Sequence, residues 1–225
     1  MALLECPRPA SRGEVPANRT PHGVAKAAAA AFHRLFTPSL SDCLLGSLLV
    51  WLFASGHGWQ GLLADGDTGW HIRTGEVILA AGRIPTRDLF SFSRPGEPWY
   101  AWEWLADVVY ALLHRSWGLP GVVLLGGVVI VAATMVLFRH MLWRGADAFA
   151  ALTVTLLATG ASSIHYLARP HVYSFLLMAV SLWILDRDRR LASKSVWILV
   201  PLTALWVNLH GGFVLDPTTL FWLCL

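Results

Sequence analysis

The sequence has few charged residues and few cysteines. Charged residues make up 14% of its 225 residues and apolar residues 56%, whereas soluble domains usually contain about 25% charged residues. This deficit of charge argues against a soluble enzyme or a disordered chain and favours a protein with several membrane spans. The three cysteines, at positions 6, 43 and 224, are too few and too scattered for a disulfide framework or a zinc site.

The short motifs that mark many familiar enzymes are also missing. The sequence contains no Walker motif, nucleophile elbow, CxxC or HExxH, and no long internal repeat. Its N-terminal basic residues are scattered and have no interleaved aromatic residues, so we expect no nucleic-acid partner.

The chain begins with a basic leader, residues 1–38. Its charged residues are Arg8, Arg12, Arg19, Lys26 and Arg34 against Glu5 and Glu14, which gives 5 − 2 = +3, the net charge of the whole chain. Four prolines and the lack of a core pattern before Val24 predict a disordered leader with a short surface helix over 24–36. Basic leaders stay in the cytoplasm, so the first apolar run is expected to remain as a signal anchor.

Several apolar runs follow, and most of them approach the roughly 20 residues that a membrane-spanning helix needs. The expected spans are 43–64, 117–138, 148–168, 170–185 and 195–215. We therefore predict an all-α, polytopic transmembrane bundle over residues 39–225. The tail 217–225 is apolar but too short to cross.

The most polar part of the chain lies between the first run and residue 107. It holds seven acidic residues and four arginines. Because it follows a cytoplasmic leader and one span, we expect an extracytoplasmic loop over about 65–101. Within it, residues 68–81 predict an interfacial helix on the membrane, with Trp70, Val77, Ile78 and Ala81 on one face. Gly82 and Pro85 should end this helix.

The charge pattern limits the topology. If every run crossed, the basic cluster 187–194 would lie outside, against the positive-inside rule. We therefore expect one segment within 98–168 not to cross fully. Asp67, Arg169, His171 and His210 would then share one outer aqueous face.

Asp67 and His71 are four residues apart and open the predicted helix, so they can face the same way. A carboxylate there can act as general base for a hydroxyl acceptor or hold a metal ion. The alternative is that Asp67 caps the helix N-terminus. Asp65 can equally be a solvated loop residue, and His71 a hydrogen-bonded interfacial residue.

Three further places hold polar residues in apolar surroundings. Glu103 and Asp107 share a helical face and can hold a cation or a buried arginine, or simply face water. Arg169, beside His171, can neutralise a phosphate or can be an interfacial arginine that snorkels to the headgroups. His210, two residues after Asn208, can serve a site or hydrogen-bond between helices.

Several of these segments together resemble a known enzyme class. Asp65-Gly-Asp-Thr-Gly-Trp-His71, Gly75-Glu-Val-Ile-Leu79, Gly82-Arg-Ile-Pro85, Asp88-Leu-Phe-Ser91 and Trp102-Glu-Trp-Leu105 resemble the first outer loop of bacterial multispanning glycosyltransferases of the GT-C class. Trp206-Val-Asn-Leu-His-Gly-Gly-Phe213 resembles a later motif of the same group. Members are similar in architecture to protein O-mannosyltransferases, the aminoarabinose–lipid A transferase and oligosaccharyltransferase catalytic subunits.

The resemblance implies sugar transfer from a polyprenyl-phosphate donor at the outer face of the bacterial cytoplasmic membrane. It implies that Asp67 is the catalytic carboxylate, and we expect Arg169 to stabilise the departing phosphate with His171 or His210. Asp65, His71 and Glu103 complete the expected substrate-binding set. A divalent metal is compatible with the class, but the acidic motif usual in the next outer loop is replaced here by Arg169-Pro-His171.

Members of the class are usually much longer than this chain. The first interpretation is therefore a membrane glycosyltransferase of which this chain is an N-terminal or truncated portion, and truncation can leave such an enzyme inactive. The other interpretation is a non-catalytic multispanning protein, either a transporter-like fragment or a subunit of an assembly. The two interpretations differ in one geometric respect: an enzyme should place Asp67 within one solvent-accessible cleft with Arg169 or His210, on the side opposite residues 187–194.

Overall fold

The protein is all-helical over the residues that its structure describes. In the computed structural model these residues are 39–54 and 58–212, and nearly all belong to the compact unit Ser41–Leu225. The α-helices are α1 (Leu40–Ala54), α2 (Asp67–Ala81), α3 (Trp104–Trp143), α4 (Ala148–Ser162), α5 (His171–Leu191) and α6 (Leu199–Leu209). Shorter 3₁₀ segments cover Gly58–Leu63, Ser163–His165 and Ser195–Ile198. The predicted leader 1–38, its helix over 24–36 and the tail 217–225 lie outside the described residues.

Within residues 39–54 and 58–212, two helical segments are long and apolar enough to cross a membrane. They are α3, with 40 residues, and the segment Ala148–His165, with 18. Large apolar side chains also remain exposed on the helices, among them Phe149 at 84% and Leu157 at 68%. An apolar outer surface of this kind fits a chain in contact with lipid.

The α-helices in the first and last expected spans are shorter than the apolar runs predict. The run 43–64 contains α1, which ends at Ala54, and then a separate 3₁₀ segment that begins at Gly58. Gly58 has φ 58°, a conformation that an α-helix cannot continue through. The run 195–215 begins as a 3₁₀ segment, and α6 ends at Leu209 because His210 is extended.

Helix α3 is broken near its first third. Gly118 has φ 66° and ψ −162°, which divides the helix into α3a (104–117) and α3b (119–143). Pro120 falls in the first turn of α3b, where its missing N–H costs no hydrogen bond. The break therefore allows α3a to leave the axis of α3b and pack elsewhere.

Helix α3a packs against α2. The two helices approach closely at Gly75, where a Cβ atom would collide with the backbone carbonyl of Asp107 and with the Ala111 side chain. Helix α2 ends at Gly82, which is left-handed at φ 63°, so the predicted helix and its stop signal are confirmed. Trp70 and Ala81 lie on the exposed side of α2.

The remaining helices alternate in direction. Asp186 near the C-terminal end of α5 contacts His140 and Arg144 at the C-terminal end of α3b. Trp206 near the end of α6 instead bonds Ser174 in the first turn of α5. Helices α3b and α5 are therefore parallel, and α6 runs antiparallel to α5. The start of α5 and the end of α6 lie near α2 and α3a, at the same end of the unit.

Candidate functional site

Arg169 joins the two carboxylates that follow the first apolar run. One guanidinium nitrogen, Nη1, lies 2.6 Å from Asp65 Oδ2, and the other, Nη2, pairs with Asp67 Oδ2. The Arg169 side chain is 33% exposed and that of Asp67 52% exposed. The pair of carboxylates and the guanidinium therefore form a charged cluster that water can reach.

Local structure brings these residues together. The Ala168 N–H donates to the Leu62 carbonyl over 2.7 Å, and the buried Thr68 hydroxyl donates to the Ala168 carbonyl over 3.1 Å. These two bonds fix the segment before α5 against the start of α2. Arg169 then follows directly in sequence and faces Asp65 and Asp67.

The capping alternative for Asp67 is wrong. Gly66 occupies the N-cap position of α2 and Asp67 is the first helical residue, with its side chain turned to Arg169. Asp65 instead accepts the Asp67 backbone N–H over 2.9 Å. That bond, and after it the Arg169 guanidinium, hold the pKa of Asp65 below its usual range. Asp65 is an ion-paired residue, not a solvated loop residue.

A second cluster begins on the buried face of α2. His71 Nδ1 lies 2.7 Å from Asp107 Oδ1, and His71 Nε2 lies 3.6 Å from Glu103 Oε2. Asp107 is 3% exposed. Glu103 is the N-cap residue of α3, and burial raises its pKa. The expectation that Glu103 and Asp107 share a face is confirmed, and the water-facing alternative is wrong for Asp107.

His210 meets the same glutamate from the other side. Its Nε2 lies 3.4 Å from Glu103 Oε1, while its Nδ1 lies 2.7 Å from the Ser174 hydroxyl. The Trp206 indole N–H donates to Ser174 over 2.8 Å. A continuous chain of polar contacts thus runs from Asp107 to Trp206 through four side chains.

His171 and Asn208 lie at the edge of this cluster. The His171 and His210 rings are 6.4 Å apart, and His171 Nε2 lies 2.5 Å from the His165 carbonyl. The Asn208 side chain accepts the Trp104 indole N–H over 2.7 Å, which ties the end of α6 to the start of α3. Asn208 is therefore a helix-to-helix contact.

The basic cluster lies at the far end of α5. His171 begins this helix and Arg187, Arg189 and Arg190 lie in its last turns. Its 21 residues span about 30 Å at 1.5 Å per residue. The ion pair of Asp67 and Arg169 therefore lies at the opposite end of α5 from Arg187, Arg189 and Arg190.

Sequence reasoning missed Ser174, Trp104 and Trp206 as members of the site. Ser174 lies three residues after His171 on α5, a spacing that places both on one helix face. That spacing was the available signal. Within the described ranges, no group of three or more His, Cys, Asp and Glu side chains has the arrangement of a metal site.

Comparisons of the chain with protein-family models, with curated proteins and with solved structures gave no significant match. The resemblance to GT-C glycosyltransferases therefore stays a prediction from the sequence motifs.

Proposed function

We propose that the chain is a membrane glycosyltransferase module that transfers a sugar from a polyprenyl-phosphate donor to an acceptor hydroxyl. The observation that supports this most is the Arg169 guanidinium held between Asp65 and Asp67 in a water-accessible position. A cation for the departing phosphate and a carboxylate for the acceptor proton are the two groups that this reaction needs.

In the proposed reaction, Asp67 accepts the proton of the acceptor hydroxyl. The acceptor oxygen forms a bond to the anomeric carbon of the sugar as the bond from that carbon to the phosphate oxygen breaks. The bond electrons leave with the lipid phosphate, whose charge Arg169 stabilises through its planar, bidentate donors. Because Arg169 has two partners in the free protein, donor binding would replace one carboxylate contact with a phosphate contact.

The membrane part of the proposal rests on the helices. With the leader in the cytoplasm, α3a would not cross, and the cluster of Asp65, Asp67 and Arg169 would face the extracytoplasmic side. A cavity of about 290 Å³ is lined by residues that include Trp51, Leu62 and Tyr166. Tyr166, which lines this cavity, precedes Arg169 by three residues. The cavity offers a place for the first units of the prenyl chain.

The test is turnover by the full chain in proteoliposomes. Polyprenyl-phosphate hexoses and pentoses serve as donors, and release of polyprenyl phosphate is measured. We expect Asp67→Asn to lower the rate by at least about 100-fold, because general-base catalysis contributes that much or more. Asp147→Asn is the matched control, since Asp147 caps α4 and asparagine caps helices equally well. Full turnover by Asp67→Asn contradicts the proposal.

One observation favours the non-catalytic alternative. Arg169 satisfies both carboxylates at once and joins segments about 100 residues apart, as a purely structural ion pair would. On that alternative, wild-type protein releases no polyprenyl phosphate from any donor, and Asp67→Asn changes only the stability of the fold.

A further inference from the structure

Four titratable side chains lie in a row behind the Arg169 cluster. Asp107, His71, Glu103 and His210 make three successive contacts, of 2.7, 3.6 and 3.4 Å. His71 lies on α2, Asp107 on α3 and Glu103 at the N-cap of α3, and His210 follows α6. Each contact joins two groups that attract each other only when a proton lies between them.

The proton on His210 can be placed from its neighbours. The Gly212 backbone N–H approaches His210 Nδ1 to 3.0 Å, and a backbone N–H can only donate. Nδ1 is therefore an acceptor, and the single proton of neutral His210 is on Nε2. That proton points to Glu103 and satisfies the third contact.

Neutral His71 has one proton for two contacts. If Nδ1 carries it, the contact with Asp107 is satisfied, and the Nε2 lone pair faces the Glu103 carboxylate. If Nε2 carries it, the Nδ1 lone pair faces Asp107 at 2.7 Å. Either tautomer leaves one of the two contacts without a proton.

We propose that the Asp107–His71–Glu103–His210 cluster is a proton-binding site, which takes up one proton beyond those of its two neutral imidazoles. That proton lies at the contact that neutral His71 leaves unsatisfied, on the imidazole or on one of the two carboxyl groups. All three contacts are then favourable, and the charge of the cluster changes from −2 to −1.

Burial makes the additional proton necessary. Asp107 is 3% exposed and the Glu103 side chain 23% exposed, so two negative charges without a proton between them and His71 would be expensive. Arg169 is a fixed positive charge that acts on Glu103, but it already pairs with Asp65 and Asp67. The other titratable neighbours are His171, on α5, and the tyrosines Tyr110 and Tyr173, which are neutral in this pH range.

Glu103→Gln tests the site without removing its contacts. The amide oxygen can accept the His210 Nε2–H, and the amide nitrogen can donate to His71 Nε2. The variant thus satisfies all three contacts with no extra proton. The measurement is the free energy of unfolding of the full chain in detergent micelles, as a function of pH.

We expect the wild type to lose stability as the pH rises above the ordinary histidine pKa of about 6.5, and Glu103→Gln not to. Above that pH the histidines of the unfolded chain have released their protons while the folded wild type still holds one, and stability falls with pH wherever the folded state binds more protons. Relative to Glu103→Gln, the wild-type folding equilibrium constant should fall by up to about tenfold per pH unit.

Glu97→Gln is the control, because Glu97 is exposed in the loop before α3, and it should keep the wild-type pH dependence.

Asp107→Asn is a second test, since its amide can donate to His71 Nδ1 and also replaces the proton. Parallel pH curves for the wild type and Glu103→Gln overturn the proposal, and so does a loss of the pH dependence in Glu97→Gln. If Glu103→Gln does not fold, Asp107→Asn decides by the same criterion. None of these outcomes depends on glycosyl transfer.

Discussion

Arg169 contacts two carboxylates with two different guanidinium nitrogens. The planar, five-donor fork of arginine makes this arrangement possible, whereas a lysine ammonium is a single point charge on a flexible stem. Asp65, Asp67 and Arg169 are all partly exposed, so their mutual attraction is screened by water. We therefore expect the cluster to contribute little to stability. In the proposed function, Arg169 exchanges one of its two carboxylate partners for a phosphate.

Arg169→Lys should therefore separate function from stability. We expect less than about 1 kcal/mol loss of unfolding free energy, as for partly exposed ion pairs, but at least about a tenfold weaker apparent affinity for a polyprenyl-phosphate sugar. Chemical denaturation and donor titration in proteoliposomes measure the two effects. Arg94→Lys, in the exposed loop, is the control for loss of an arginine, and it should change neither quantity. Equal donor affinity in Arg169→Lys and wild type would contradict the assigned role.

Several site residues could be predicted from sequence and others could not. Asp67 and Arg169 are recognisable because charges beside apolar runs are rare, and the charge rule places both on one side. The contact between His71 and Asp107 could not be predicted, because it depends on how closely α2 and α3a approach. Ser174 was also missed, since a serine near a helix N-terminus is common and carries no signal by itself.

Helices α2 and α3a form the element that presents the second cluster. Their close approach depends on Gly75, which has room for a hydrogen but none for a methyl group. The helix bounds and the Gly82 stop were predictable because they follow from local residues. The partner of α2 was not, since the pattern of apolar residues does not say which surface a helix meets.

Gly75→Ala should destabilise the protein by about 1–3 kcal/mol, the usual cost of overpacking a close contact. Gly69→Ala on the same helix is a matched control, because a Cβ there meets nothing within 4 Å. Its expected effect is neutral or slightly stabilising, since alanine favours helix over glycine by about 1 kcal/mol. Denaturant unfolding of the two variants measures the difference. If both changed stability alike, the close approach of α2 and α3a would not be as described.

In the part of the chain that the structure describes, one end carries Asp65, Asp67 and Arg169, and the other carries the basic residues in the last turns of α5. Helix α5 connects them over about 30 Å, a length that matches the hydrocarbon core of a bilayer. Sequence reasoning gave the all-helical class and the grouping of charges at two ends. It did not give the lengths of the first and last apolar helices, because α1 and α6 end within runs that carry no formal charge in sequence.

A two-sided labelling experiment checks this arrangement in the membrane. In a chain with its three native cysteines replaced, Glu97→Cys should react with an impermeant maleimide from the extracytoplasmic side, and Leu191→Cys should react only after permeabilisation. Both positions are exposed to solvent or to the membrane surface, so lack of access would not arise from burial. Reaction of both positions from the same side would refute the proposed topology.

The order of synthesis gives the break at Gly118 a further importance. A ribosome releases the chain from its N-terminus, so α2 and α3a leave the exit tunnel long before Arg169 and His210. Until those residues arrive, Asp65 and Asp67 lack their guanidinium partner and Glu103 has a histidine on one side only. The growing protein therefore passes through a nascent stage in which these acidic residues lack their later partners, and the break at Gly118 lets α3a run in a different direction from α3b during that delay.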